Sequence, residues 1–244
     1  MTMVYLRFDE DLIPVLRLPG LLVAKDRSGI LYHISNKVKE IGDYEVVGVH
    51  DGILVLKSPI GYLFYDPARE EFTDFRTFPP SDFPYKSGQT LIGDEKTVYC
   101  DGNNDGEYSP CLGIPYYDVL DLNPDNDTVY LVLRHPKGSA VAQAKCVGNA
   151  SHTCMMSVSN VVPASPQHVA LFHTKTGQIY IVYGDGRLIN AMRLDSTQDD
   201  EEIDFQSVTG EKIYPVAQPV RNTDFLAVAD SKGFIRYIVR YPLY

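Results

Sequence analysis

Along this chain, short apolar runs alternate with polar turns that end in glycine, and few stretches sustain a helical period. Candidates for helix, such as Ser35–Ile41, are short, and Pro and Gly punctuate the rest. An apolar run, a turn closed by Gly and a β-branched or aromatic run together signal a hairpin, because glycine supplies the backbone angles that a tight strand reversal needs. Leu21–Ala24 turns through Asp26-Arg27-Ser28-Gly29 into Ile30–Ile34, and Ile53–Leu56 through Ser58-Pro59-Ile60-Gly61 into Tyr62–Tyr65. Val129–Leu133 turns through His135-Pro136-Lys137-Gly138 into Ser139–Ala144, and Val169–Phe172 through Thr174–Gly177 into Gln178–Tyr183. Phe225–Ala229 turns through Asp230–Gly233 into Phe234–Val239, and a weaker sixth unit runs from Thr97–Cys100 to Gly106.

Glycines 29, 61, 106, 138, 177 and 233 are spaced 32, 45, 32, 39 and 56 residues apart. Units of about 40–50 residues with several short strands each are the mark of propeller blades. The reading is therefore an all-β chain forming one domain over residues 1–244, a small single-ring β-propeller of five or six blades. A lone four-stranded blade has two apolar faces and cannot bury both; stacking blades around an axis buries every face. The strand-like segments Met3–Phe8 and Phe234–Tyr244 are expected to pair within one blade and latch the ring.

One stretch adds a resemblance. Asp51–Leu56, then Tyr62-Leu63-Phe64-Tyr65-Asp66-Pro67, then Glu70–Phe75 and Phe78-Pro79-Pro80 resemble a kelch-type or F-box-associated blade. In those families an apolar strand leads to an aromatic–Asn/Asp–Pro turn and then to a strand ending in a proline step. The resemblance covers residues 51–80 and implies fold, not function. The paired-Gly signature of a full kelch repeat is absent elsewhere, and with no room for an F-box ahead of it the ubiquitin-adaptor role is not expected.

The net charge of −10 disfavours a partner with a phosphate backbone or an anionic surface, since like charges repel. No run of 18 apolar residues occurs, so neither nucleic-acid binding nor membrane insertion is expected. Charge breaks the first eleven residues before a signal-length apolar segment develops, which points to the cytoplasm, with an extracellular or particle-surface location as the alternative. Four cysteines bear on that choice. Cys100 with Cys111, and Cys146 with Cys154, each bracket a turn-rich loop in which two thiols could meet, although free thiols are the preferred reading. Asn126 and Asn149 head glycosylation sequons, which chance also supplies.

Candidate chemistry is sparse. Asp101-Gly102-Asn103-Asn104-Asp105-Gly106-Glu107 reproduces the first half of a calcium loop, with side-chain oxygens at positions one, three and five and Gly at six. Asp101, Asn103, Asp105 and Glu107 are the candidate ligands, but Leu112 stands where the twelfth-position carboxylate belongs, so an ordinary Asx-rich turn is preferred. No cofactor other than calcium is suggested. The spacing of Asp121, Asn123, Asp125 and Asp127 lacks the turn glycine, and Asp199–Asp204 reads as an exposed acidic loop or a contact for a basic partner. No nucleophile elbow, phosphate loop or zinc-binding helix motif occurs, and the six histidines are scattered, with His168 and His173 near one hairpin. These absences, the acidic surface and the many tyrosines favour a non-enzymatic interaction or scaffold module of a larger assembly, binding a protein partner or its own copies. A lectin-like carbohydrate binder and, less favoured, a propeller hydrolase are the alternatives.

Overall fold

The computed structural model describes residues 5–50, 52–73, 99–100, 109–110, 118–123, 128–146, 154–195, 199–204 and 210–241. In chain order the strands are β1 (Tyr5–Arg7), β2 (Ile13–Leu18), β3 (Leu21–Lys25), β4 (Leu31–Ile34), β5 (Val38–Gly42), β6 (Glu45–His50), β7 (Ile53–Ser58), β8 (Gly61–Asp66) and β9 (Glu71–Thr73). There follow β10 (Tyr99–Cys100), β11 (Ser109–Pro110), β12 (Asp118–Asn123), β13 (Thr128–His135), β14 (Gly138–Cys146), β15 (Cys154–Val162), β16 (Val169–His173), β17 (Ile179–Gly184), β18 (Leu188–Arg193), β19 (Asp199–Asp204), β20 (Tyr214–Ala217), β21 (Phe225–Ala229) and β22 (Ile235–Arg240). Among the described residues these form five four-stranded antiparallel sheets, β2–β5, β6–β9, β12–β15, β16–β19 and β20-β21-β22-β1, plus the two-stranded ladder β10–β11. The first strands β2, β12, β16 and β20 dominate the contacts between sheets and face a common axis. The chain folds as a β-propeller.

Apolar clusters form a circuit from sheet to sheet. Leu12, Leu22, Ile34, Val216 and Ile238 join the last sheet to the first. Phe172, Val182, Leu226, Val239 and Tyr241 join the fourth to the last, and Val132, Val141, Leu171 and Ile181 join the third to the fourth. Leu16, Val23, Leu54, Leu56, Tyr65, Leu131 and Ala142 complete the circuit across the first three sheets. Alternate residues of a strand point to opposite faces, so each sheet feeds two clusters: Val132 packs one way and Leu131 the other.

The ring closes as the terminal segments suggest. β1 pairs with β22, Tyr5 opposite Val239 and Arg7 opposite Tyr237. Arg236 fastens the seam: its Nε donates to Asp230 (2.9 Å) and its Nη2 to Asp11 (2.8 Å), while Nη1 reaches the carbonyls of Phe8, Asp9 and Glu10. Between the fourth and last sheets, the fully buried Gln218 takes the place of a strand neighbour. It accepts the His173 N–H (2.7 Å) and donates to the carbonyls of His173 (2.9 Å) and Thr223 (2.8 Å).

Three expectations change. Gly177 closes a turn between the first and second strands of its sheet, whereas Gly29, Gly61, Gly138 and Gly233 close turns between second and third strands. The equivalent turn in the fourth sheet holds Gly186, which lies 48 residues after Gly138 and 47 before Gly233, so part of the uneven spacing came from mixing two kinds of turn. Asp199–Asp204 is a strand, not a loop; it pairs with β18 as the outermost strand of its sheet. Ser35–Ile41 likewise leads into β5.

A repeat that composition concealed shows in the first strands. β2, β6, β12 and β20 each carry one extra residue against their neighbour, at Val15, Val47, Leu120 and Val216. Such a bulge sharpens the local twist and tolerates the prolines at 14 and 215, which sit beside it. β16 pairs without a register shift and is instead preceded by a 3-10 turn, Pro166–His168.

Gly138 offers a direct test of the tight turns. Its φ is +134°, and an added Cβ would lie 2.4 Å from the Val162 carbonyl oxygen and 2.7 Å from the Ala164 nitrogen. Gly177 (φ +86°) has nothing within 4 Å of that position. Gly138→Ala should therefore destabilise by about 3 kcal/mol or more, against about 1–2 kcal/mol for Gly177→Ala, read as urea midpoints at unchanged m.

Candidate functional site

The axis is where the chain gathers polar groups that it could have left in water. Arg17 stands in the otherwise apolar run Pro14-Val15-Leu16-Arg17-Leu18 and is only 2% exposed. From β2 its guanidinium crosses to the fourth and last sheets, donating to the carbonyls of Pro166 (3.0 Å), Gln167 (3.2 Å) and Val169 (2.8 Å) and of Val216 (3.3 Å). A buried cation is tolerable only where dipoles replace its water, and four carbonyls do so here.

At the same end, the 3-10 turn presents His168 to the start of β20, where Tyr214 lies. The two rings stack with centroids 3.8 Å apart and planes 17° from parallel. Both residues are half-buried. Tyr214 is backed by the turn after β17, where Gly186 adopts φ +101° and a Cβ would come within 2.8 Å of the tyrosine oxygen. Asp185 holds that turn by accepting the N–H groups of Arg187 and Leu188, each at 3.0 Å, and these bonds hold its carboxyl below the ordinary range. The stack is thus bracketed by a proline-initiated turn and a glycine that leaves room for the tyrosine.

Burial, assisted by the nearby charge of Arg17, lowers the His168 imidazole from 6.5 to about 4. The ring is consequently uncharged across neutral pH and has a lone pair to offer. None of the described residues hydrogen-bonds its ring nitrogens. An imidazole that is neutral, held in plane and half-open to solvent can accept a proton or a hydrogen bond from a bound molecule.

A depression of about 300 Å³ lies between the third and fourth sheets and is lined by Gln143, Gly177, Gln178, Ile179, Arg193, Leu194 and Asp195. It is an open polar groove. Asn160 bridges its floor by donating to the Leu194 carbonyl at 3.0 Å. The remaining buried histidines serve the core: His33 Nδ1 lies 3.2 Å from the Tyr65 hydroxyl, and His173 runs along β16 beside Gln218.

The residues singled out from the sequence lie elsewhere. Asp101, Asn103, Asp105 and Glu107, Asn126, Asn149 and Cys111 fall outside the described residues. Cys100 in β10 faces Ser109, while Cys146 and Cys154 are partners in the β14–β15 ladder. Among the described residues no group of three or more His, Cys, Asp or Glu side chains could hold a metal ion, and no helix is long and apolar enough to cross a membrane. Arg17 had a legible signal, a single charge inside an apolar strand; the stacking of His168 on Tyr214, 46 residues away, had none.

No known sequence family matches the chain, and no curated protein sequence does. Solved structures do match. A protein assigned as a gluconolactonase aligns over 98% of this chain and 92% of its own at 13% identity, with a TM-score of 0.50. A calcium-binding protein, regucalcin from Agrobacterium tumefaciens, aligns over 96% of this chain and 93% of its own at 13% identity and a TM-score of 0.46. A catalytically inactive variant of virginiamycin B lyase from Staphylococcus aureus, solved with quinupristin, aligns over 99% of each chain at 11% identity and a TM-score of 0.45. At these identities the likeness is one of fold, and it is to the propeller at large; nothing in it is specific to kelch-type or F-box-associated blades.

The expectation of a non-enzymatic scaffold finds no support among these neighbours, since the one with a TM-score of 0.50 is named as a gluconolactonase. The missing local motifs were poor grounds for it, because the ring brings together side chains from separate sheets, as it does His168, Tyr214 and Arg17. Of the tyrosines that suggested a binding surface, Tyr65, Tyr130, Tyr180, Tyr183, Tyr237 and Tyr241 are buried.

Histidine proton resonances followed from pH 8 to 3 should show His168 titrating near 4. Because its folded value lies below the unfolded 6.5, its contribution to stability is complete above 6.5 and is lost as pH falls through 4.

Proposed function

We propose that the chain is a propeller hydrolase for a small lactone or similarly activated ester, with His168 at the end of the central axis as general base. The observation that carries the reading is the neutral, half-buried imidazole stacked at 3.8 Å on Tyr214. In this mechanism a water at the His168 ring gives up a proton as it attacks the carbonyl carbon. Tyr214 fixes the plane of the ring, and the Arg17 charge favours the negative charge that develops on the carbonyl oxygen. A base of pKa about 4 is always ready but intrinsically weak. It suits an ester already activated by ring strain or a good leaving group, not an amide. The name borne by the neighbour with a TM-score of 0.50 supports the same class of substrate.

The purified protein should open lactones or cleave aryl esters, and His168→Gln should lower kcat/KM by about 10²–10⁴, the usual contribution of a general base. The wild-type kcat/KM should rise with pH through about 4 and then level. Absence of turnover across such a panel, or full activity in a folded His168→Gln variant, would overturn the reading.

Calcium is the cofactor proposed, on the strength of Asp101, Asn103, Asp105 and Glu107. With the twelfth-position carboxylate missing, affinity is expected at about 10⁻⁴–10⁻³ M. Millimolar calcium should raise the Tm of the wild type and not that of Asp105→Ala, since a ligand of the folded state stabilises it by mass action. An unchanged wild-type Tm would remove calcium from the account.

A further inference from the structure

The long hairpin β14–β15 sets two cysteines against each other. Its register runs Ala144 opposite Met156, Lys145 opposite Met155 and Cys146 opposite Cys154, so the two cysteines are the last rung of the ladder before residues 147–153. Directly opposed residues of antiparallel strands have Cα atoms about 4.5–5.5 Å apart, inside the range of about 4.4–6.8 Å that a disulfide requires. No such relation holds for Cys100, whose partner is Ser109. The sequence alone offered two bracketed pairs on equal terms; the ladder separates them.

We infer that Cys146 and Cys154 form a cross-strand disulfide that locks the end of the β14–β15 hairpin, and that Cys100 takes no part in it. The bond forms by thiol–disulfide exchange with an external disulfide such as oxidised glutathione. One cysteine thiolate attacks it and releases one reduced glutathione; the second thiolate then attacks the protein sulfur of the mixed disulfide and releases another. Two thiol protons and two electrons leave the protein, and the electrons reside on the two glutathione thiols. The bond restricts the unfolded chain by closing a nine-residue ring, Cys146 to Cys154. It also anchors the strand that carries Gln143, three residues earlier, to the wall of the groove between the third and fourth sheets.

The test uses the wild-type chain equilibrated with glutathione buffers of graded ratio, alkylated while native and then unfolded, alkylated again and digested with trypsin. Cleavage after Lys145 and Lys175 leaves one fragment, Cys146–Lys175, holding this pair and no other cysteine. In oxidising buffer that fragment should carry no alkyl group and be about 2 Da lighter than its reduced form. Reduction should lower Tm by about 5–10 °C in the wild type and leave a Cys146→Ser/Cys154→Ser double variant unaffected. Alkylation of both residues in the oxidised sample would overturn the inference. So would separate glutathione adducts on each, or a link from either residue to Cys100.

Discussion

The Arg17 guanidinium at the axis is the contact on which the arrangement turns. It comes from the first sheet and is satisfied by carbonyls of the fourth and the last, so its buried charge finds these partners only when the sheets stand in their ring positions. A closed arrangement that buried the cation without those carbonyls would cost several kcal/mol. The same charge acts on the His168 imidazole at that end of the axis. By opposing protonation of His168 it couples the closure of the structure to the chemistry proposed there.

Around that centre the sheets are held by means that do not depend on sequence repetition. Gln218 imitates a strand by exchanging two hydrogen bonds with the His173 backbone. Arg236 binds Asp230 in its own hairpin and, across the closing seam, the Asp11 carboxylate and three carbonyls. Each unit solves the same problem with different side chains.

The fold was therefore legible where local chemistry dictates it. Each of Asp26-Arg27-Ser28-Gly29, Asp230–Gly233 and Thr174–Gly177 fixes its own reversal through an Asp or Thr side chain bonded to the backbone ahead of it, and such turns can be read without knowing what lies across the ring. The pairing of the terminal segments was legible too, since both had strand character and nowhere else to pair. The site was not. His168 and Tyr214 meet because a 3-10 turn takes the place of the bulge found in four other first strands, and that substitution has no marker in composition or spacing. Burial of tyrosines such as Tyr65 and Tyr241 was misjudged because a ring whose hydroxyl can find a partner, as Tyr65 does in His33, is as comfortable inside as at a surface.

The β1–β22 seam has a consequence in mechanics. Tyr5 lies opposite Val239, so the two ends of the closing ladder emerge side by side, and tension applied between Tyr5 and Tyr241 would load its rungs one after another rather than all at once. A ladder strained in that way peels at low force. The ring that is closed firmly against thermal opening therefore has a single weak direction, and a pull along it would release the three-residue β1 while the inner strands, tied through Arg17, stay assembled.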